Sequence, residues 1–162
     1  MKQTLLAVLV LMALQMLSLP TQADSFQLTA HTSLVSGQPN GIYEVNPGQS
    51  ASVTITSSSN YTCKNISGAT KTAYLTWTPL VYLRKLSNNQ TVLTTSDGRQ
   101  TTAVLANNAT WSLTGDTLTT TGTMPIEEYR CHALTNLFED KTGEVDQDND
   151  APTRDVSVRP YA

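Results

Sequence analysis

Residues 50–63 read SASVTITSSSNYTC, and this stretch decides the expected fold class. Its apolar side chains, Val53 and Ile55, alternate with serine and threonine, and the same parity continues through Tyr61 to Cys63. Side chains two positions apart lie on one face of a strand. The pattern therefore predicts a long β-strand with one face in an apolar core.

The same alternation recurs along the chain between turn signals rich in glycine, asparagine and proline. Several short strands separated by such turns predict an all-β sandwich or barrel. The pair Gly115-Asp116 predicts a tight turn that folds 109–121 into its own hairpin. The expected strands are 25–35, 50–63, 72–84, 91–95, 101–106, 109–121, 127–135 and 154–160.

The first 23 residues are expected to be a secretory signal peptide. Met1-Lys2 is positively charged, residues 5–16 are almost wholly apolar, and residues 21–23 place small side chains before a cleavage site at Asp24. The apolar run is shorter than the roughly 20 residues that span a bilayer. Residues 24–162 are expected to form one secreted domain without a membrane span, or a periplasmic or cell-surface domain in a bacterium.

The composition is mildly acidic and rich in hydroxyl side chains. Ten Lys and Arg stand against thirteen Asp and Glu, for a formal net charge of −3, and no basic cluster occurs. Nucleic acid is therefore not an expected partner. Serine and threonine make up about a quarter of the chain, but they interleave with large apolar residues. This interleaving favours strands over a disordered, glycosylated stalk.

Cys63 and Cys131 are the only cysteines of the chain. Two cysteines in a secreted protein most often pair with each other, so a disulfide bond is expected. Closing a loop of this length is worth roughly 4 kcal/mol on the polymer model. Two unpaired thiols are the alternative.

Residues around the cysteines resemble the pattern of the immunoglobulin fold. Trp77 follows Cys63, and Tyr129 lies two positions before Cys131. The resemblance implies an immunoglobulin-like antiparallel β-sandwich, of variable type by its cysteine separation, with one inter-sheet disulfide between strands B and F. It also implies that Trp77 packs on that bridge and that Tyr129 forms a tyrosine corner. The chain departs from the variable-type pattern at Pro125, where an acid is usual.

Candidate chemistry is sparse. His31 and His132 are the only histidines, and neither lies in a nucleophile motif, so no catalytic residues, no cofactor and no enzyme activity are expected. Asp146, Asp148 and Asp150 have the spacing of a calcium loop, but the positions that need glycine and a bidentate glutamate do not hold them. The segment 139–153 is therefore expected to be a solvated acidic loop or tail rather than a metal site.

Four asparagines stand in N-glycosylation sequons: Asn60, Asn65, Asn89 and Asn108. All four fall in expected loops or at strand ends. In a eukaryotic or viral host they predict a glycoprotein, whereas in a bacterium they carry no such meaning.

The leading functional hypothesis is a secreted, non-enzymatic recognition protein that binds an extracellular or cell-surface protein, in adhesion or as a decoy or immunomodulatory ligand. One alternative is a bacterial periplasmic or fimbrial β-sandwich subunit or adhesin, in which residues 26–30 serve as a donor strand. This alternative draws on Tyr161 as a penultimate tyrosine. A secreted enzyme inhibitor is a further alternative.

Overall fold

A computed structural model describes residues 25–139 and 146–162. The predicted signal peptide, 1–23, and residues 140–145 of the acidic segment lie outside these ranges. No helix in the described part of the chain is long and apolar enough to cross a membrane. The strands are β1 (Phe26–Ser36), β2 (Ile42–Val45), β3 (Ser50–Asn65), β4 (Lys71–Trp77), β5 (Leu80–Lys85), β6 (Thr91–Ser96), β7 (Arg99–Leu105), β8 (Thr110–Pro125), β9 (Glu127–Glu139), β10 (Asp146–Asp150) and β11 (Thr153–Pro160).

The strands form two sheets, and the predicted all-β sandwich is confirmed at this level. The first sheet has the order β1-β3-β8, with antiparallel neighbours. The second has the order β2-β11-β9-β4-β7, with β10 also on β9 and with β5 between β9 and β6. The short β2 pairs with β11 in parallel, which is an exception to the antiparallel arrangement.

β9 is the central strand of the second sheet. Its first half pairs with β11 and β5, and its second half pairs with β10 and β4. The neighbouring strands are interrupted at Thr78-Pro79, Asp97-Gly98 and Ala151-Pro152. Proline cannot donate a ladder hydrogen bond and glycine weakens a strand, so the second sheet is divided into two halves along the continuous β9.

The core is divided in the same way. A first cluster packs around Ile55, Leu83 and Tyr129, and a second cluster packs around Tyr61 and Leu137. Between the clusters, the inward positions of the long strands hold buried hydroxyl residues. We call these residues the hydroxyl band, and they are Thr32, Ser57, Ser59 and Thr135.

Hydrogen bonds of the hydroxyl band run both within and between the sheets. Ser59 Oγ donates to Thr32 Oγ1 at 2.9 Å within the first sheet, whereas Tyr61 Oη is hydrogen-bonded to Thr135 Oγ1 across the sandwich. Burial of such groups is tolerated where they find partners. The Ser57 hydroxyl is buried without a hydrogen-bond partner.

The predicted disulfide between Cys63 and Cys131 is wrong. The structure contains no such bond, and the two residues lie in different core clusters. Tyr61 on β3 lies opposite Thr135 on β9, to which it is hydrogen-bonded. Cys63 comes two residues after Tyr61, whereas Cys131 comes four residues before Thr135. Because β3 and β9 run in the same direction, the two cysteines are six residues, or about 20 Å, apart along the strands. A disulfide requires Cα atoms about 4.4–6.8 Å apart.

Burial makes the Cys131 thiol unreactive. Desolvation is the main cause that raises its pKa to about 11, and its Sγ lies 3.2 Å from the carbonyl oxygen of Arg154. A thiol that stays protonated at neutral pH is a poor nucleophile.

Trp77 and Tyr129 both lie in the core, but neither packs on a bridge. Trp77 stacks at a tilt between Tyr61 and Trp111, with ring centroids 5.7 and 5.6 Å apart. Tyr129 Oη donates a hydrogen bond of 2.8 Å to the carbonyl oxygen of Pro125, four residues upstream. This bond is the one that a tyrosine corner makes.

The predicted hairpin at Gly115-Asp116 is wrong, because β8 continues through it as one strand along β3. The register shifts between Ser59 and Tyr61, and Gly115 has φ 69°. The Gly115 amide donates to the Asn60 side chain at 2.9 Å. The glycine therefore forms a β-bulge, for which a positive φ is equally suitable.

The acidic segment 139–153 is not wholly a loop, since its residues 146–150 form β10 against β9. Backbone pairing at a sheet edge does not depend on apolar side chains, which is why composition misled the prediction. Asp150 Oδ2 accepts a hydrogen bond from the Thr32 amide at 2.8 Å and lies 3.0 Å from His31 Nδ1. This carboxylate thus joins β10 to the edge of β1.

The burial of Tyr129 predicts sensitivity to alkali. Desolvation is the first cause that raises its pKa to about 12, against an ordinary value of 10.0. The folded state therefore holds the phenolic proton more tightly than the unfolded state, so stability is full below pH 10 and is lost as the pH rises towards 12.

Urea unfolding between pH 7 and pH 11.5 measures this loss. Tyr129→Phe is expected to cost about 1 kcal/mol at pH 7 through its lost hydrogen bond, and to show a weaker fall above pH 10. A residual fall remains in that variant because the pKa of Tyr61 is also raised by burial. Identical alkaline slopes in the two proteins would contradict the assignment.

Candidate functional site

The outer surface of the second sheet carries three cross-strand pairs where β5 lies beside β9. Val81 and Leu83 point into the core, so the residues that alternate with them on β5 (Leu80, Tyr82 and Arg84) face outwards. The pairs are Leu80 with Leu134, Tyr82 with His132, and Arg84 with Arg130, and we call these six residues the β5–β9 face.

An aromatic pair forms the centre of this face. The rings of Tyr82 and His132 are stacked, with centroids 4.6 Å apart and planes 5° from parallel. The guanidinium of Arg84 lies over the Tyr82 ring, 5.0 Å from its centroid. Such a cation–π contact holds the arginine in place while leaving its donors available to a ligand.

The two arginines of the face are in different electrostatic states. Arg130 Nε is 2.8 Å from Asp155 Oδ1, which compensates its charge. Arg84 bonds only to the Thr91 hydroxyl, at 3.3 Å, and has no carboxylate partner among the described residues. Like charges directly opposite each other on neighbouring strands destabilise a sheet. Arg84 therefore carries a positive charge that no carboxylate of the described residues compensates, although it contacts Tyr82 and Thr91.

The charge of the two arginines affects the pKa of His132. Its pKa is lowered from the ordinary value first by desolvation and then by the nearby charges of Arg84 and Arg130. The imidazole is thus neutral at pH 7. As expected from the alternation of β9, its side chain points away from the core face that holds Cys131.

A shallow groove of about 310 Å³ borders the aromatic pair. Leu80 and Leu134 supply its apolar surface, and 41% of Leu134 is exposed. The volume is at the small end of the range for ligand sites, so the groove is large enough to hold at least one apolar side chain of a ligand. The lining residues are Leu80, Tyr82, Arg84, Thr91, Thr94 and Leu134.

The outer face of the first sheet has a different character. Threonine pairs cross it from β3 to β8, with hydroxyl oxygens 2.8 Å apart for Thr54 and Thr121 and 2.9 Å apart for Thr56 and Thr119. Each of these threonine hydroxyls therefore has a hydrogen-bond partner within the sheet. This face therefore serves as a reference surface for experiments on the β5–β9 face.

The four sequon asparagines differ in accessibility. Asn60, Asn89 and Asn108 are exposed. Asn65 is fully buried, and its Nδ2 donates to the carbonyl oxygens of Ala69 and Leu105 at 2.8 and 2.7 Å. Glycosylation attaches to this same nitrogen, so the folded chain does not present Asn65 as an acceptor, and the use of the four sequons stays a prediction. Its position at the end of a strand did not reveal that its amide closes the following turn.

A buried acid in the core was missed by the sequence reasoning. Asp116 was assigned to a turn, yet its Oδ2 accepts a 3.0 Å hydrogen bond from Trp77 Nε1 and its Oδ1 pairs with Arg99. Arg99 also contacts the exposed Asp97 at 3.1 Å. These contacts fix β8 against the second sheet. Among the described side chains, no group of three His, Cys, Asp or Glu is placed to hold a metal ion.

The residues predicted from sequence were core residues and sequon asparagines, and none of them belongs to the β5–β9 face. A usable signal was present in residues 80–84, where Tyr82 and Arg84 occupy the parity opposite to the apolar Val81 and Leu83. Large side chains at outward positions are a feature of binding surfaces. The stacking with His132 required the register between β5 and β9, which the sequence does not show.

No protein-family model matches the chain, and no curated protein matches it. Several solved β-rich structures are weakly similar. The ApaA protein of Bordetella pertussis is 8% identical over 83% of this chain and 96% of its own, with a TM-score of 0.36. A CARDB domain from Pyrococcus furiosus is 19% identical over 87% of this chain and 100% of its own, with a TM-score of 0.28.

A β-glucuronidase of Bacteroides uniformis is also similar, at 17% identity over 74% of this chain and a TM-score of 0.38, but only 12% of the enzyme is covered. Likeness this low assigns neither a family nor an activity. The strands and their pairing place the chain among the all-β sandwich proteins.

Proposed function

We propose that the protein is a secreted, non-enzymatic recognition domain of immunoglobulin-like topology, which binds an extracellular or cell-surface protein through the β5–β9 face. The strand order supports the topology. β1, β3 and β8 stand in the order of immunoglobulin strands A, B and E, and β11, β9, β5 and β6 stand in the order G, F, C and C′.

Three of the four residues that carried the resemblance lie on the corresponding strands: Cys63 is on β3, and Tyr129 and Cys131 are on β9, with the hydrogen bond from Tyr129 to Pro125. Trp77 instead ends β4, the strand that precedes the proposed strand C, β5. A fourth strand beside β8, equivalent to strand D, is missing among the described residues. The proposed topology therefore departs from the family pattern at this edge of the first sheet.

One observation carries the proposal of recognition. Arg84 holds an uncompensated charge over Tyr82, on an open sheet face and beside an apolar groove. Arginine and tyrosine next to an apolar pocket are the residues that dominate the binding energy of protein interfaces. The cation–π contact with Tyr82 is worth only about 0.5–1 kcal/mol at an exposed site, and it leaves the charge of Arg84 without a carboxylate partner among the described residues.

The donor-strand alternative has less support. The segment it requires is β1, which pairs with β3 along its whole length. Phe26 and Ala30 of this strand are buried in the chain's own core. An enzyme inhibitor would be a special case of the proposed function, with an enzyme as the partner.

Binding of the labelled domain, residues 24–162, to cell surfaces and cell-envelope fractions tests the proposal. Arg84→Glu and Leu134→Glu are each expected to weaken binding about tenfold or more, as at an interface hot spot. Thr117→Glu introduces the same charge at an exposed position of the first sheet and is expected to leave binding unchanged. Binding that survives both substitutions on the β5–β9 face, in variants with native circular dichroism, would overturn the proposal.

A further inference from the structure

We propose that the partner binds the β5–β9 face with an extended acidic peptide segment, which places an aspartate or glutamate on Arg84 and an apolar side chain in the groove lined by Leu80 and Leu134. This inference rests on the proposed function and specifies the chemistry of the partner.

Charge complementarity supports an anionic group. Arg84 and Arg130 are neighbours on the face, and Asp155 compensates only Arg130. The chain as a whole is acidic, with a formal net charge of −3, so this local positive site stands out. A guanidinium binds a carboxylate through two parallel hydrogen bonds, which gives both strength and orientation.

The spacing along β5 matches an extended peptide. Leu80 and Arg84 are four residues apart on the outward side of one strand, a distance of about 13 Å. In an extended segment lying along β5, side chains four positions apart have the same spacing and direction. One short segment can therefore place an apolar side chain at Leu80 and an acidic one at Arg84.

The state of Tyr82 favours a peptide over a carbohydrate. A sugar ring binds best to an open aromatic face, but the Tyr82 ring is stacked on His132 and lies under the Arg84 guanidinium. The accessible features of the site are the charge and the groove of about 310 Å³, which has room for one apolar side chain. A sulfated oligosaccharide is therefore the competing ligand that the experiment must exclude.

A bound carboxylate has an effect that can be measured at His132. Desolvation and the two arginines hold its pKa below the ordinary value, and a carboxylate beside Arg84 would offset the arginines. Binding is expected to raise the pKa of His132. By linkage, the affinity of the peptide increases as the pH falls through the titration range of this histidine.

The test uses residues 24–162 with isotope labels, and four probes. Two capped peptides contain Leu-Thr-Ser-Thr-Glu and the reverse order, Glu-Thr-Ser-Thr-Leu. The third peptide repeats whichever of these binds more tightly, with Gln in place of Glu. The fourth probe is a heparin-derived hexasaccharide. NMR titrations follow the methyl groups of Leu80 and Leu134 and the ring of His132. One glutamate peptide is expected to bind about tenfold more tightly than the glutamine peptide and to raise the pKa of His132.

Variants make the result specific to Arg84. Arg84→Gln is expected to abolish the preference for glutamate and to raise the pKa of His132 in the unbound protein, and Arg84→Lys is expected to restore part of the preference. Lys64→Gln removes the same charge from the outward face of the first sheet and is expected to change neither quantity.

Two outcomes would overturn the inference. One is equal binding of glutamate and glutamine peptides, and the other is binding of the hexasaccharide alone. If either occurs while Arg84→Glu still prevents binding of the domain to cells, the acidic-peptide inference fails and the proposed function stands. If Arg84→Glu also leaves cell binding intact, the proposed function fails independently.

Discussion

Asp116→Ala is expected to lower the free energy of unfolding by about 3 kcal/mol. The carboxylate is almost fully buried and accepts hydrogen bonds from Trp77 and Arg99. Its removal leaves the buried indole N–H without an acceptor, which then bears a desolvation cost, and takes the buried carboxylate partner from Arg99, which keeps Asp97. Urea unfolding followed by tryptophan fluorescence measures the change.

Asp97→Ala is the matched control for this experiment. Asp97 pairs with the same arginine at 3.1 Å, but its side chain is 54% exposed. Removing an exposed ion pair costs less than about 1 kcal/mol. Asp116→Asn is expected to fall between the two alanine variants, because it keeps an acceptor for Trp77 and loses the charge. Equal losses for Asp116→Ala and Asp97→Ala would show that the buried contacts add no stability.

Gly41→Ala is expected to cost about 2–5 kcal/mol. Gly41 has φ +72°, and a Cβ there would lie 2.5 Å from the carbonyl oxygen of Asp155. A left-handed alanine costs about 1–2 kcal/mol, and relieving the clash adds about 1–3 kcal/mol. The Gly41 carbonyl also accepts a 2.9 Å hydrogen bond from the Ser157 amide at the β2–β11 pair. Movement of this glycine therefore disturbs the parallel pairing.

Gly48→Ala separates the two contributions. Gly48 has φ +79°, but no atom lies within 4 Å of its virtual Cβ, so only the conformational cost of about 1–2 kcal/mol applies. The difference between the variants in urea unfolding gives the cost of the steric contact. If the two glycines respond equally, the close approach of β2 to β11 is not as the structure shows.

The local features of the fold could be predicted from the sequence, because they depend on alternation along single strands. The parity of Val53, Ile55, Tyr61 and Cys63 correctly gave the buried face of β3. Strand pairing was not accessible in this way. Asp146–Asp150 joins the sheet through its backbone, and Gly115 forms a bulge because β3 continues beside it.

The candidate site shows a similar division. That Tyr82 and Arg84 share a face follows from their spacing, whereas the stacking of Tyr82 on His132 depends on the register between β5 and β9. The predicted disulfide failed for the same kind of reason. The sequence shows that Cys63 and Cys131 both point inwards, but the position of each along the sandwich depends on how the two sheets are aligned.

Through the hydrogen bond between Thr135 and Tyr61, the hydroxyl band favours one alignment of the two sheets. A slip of β9 by two residues along β3 would place the Tyr61 hydroxyl opposite Leu137 or Ala133 instead of Thr135, so buried polar groups would face apolar ones. Losing the bond between Tyr61 and Thr135 would leave two buried hydroxyls unpaired, at about 1–3 kcal/mol each, which disfavours such a slip. The alignment that pairs Tyr61 with Thr135 is also the one that separates the two cysteines along the sandwich.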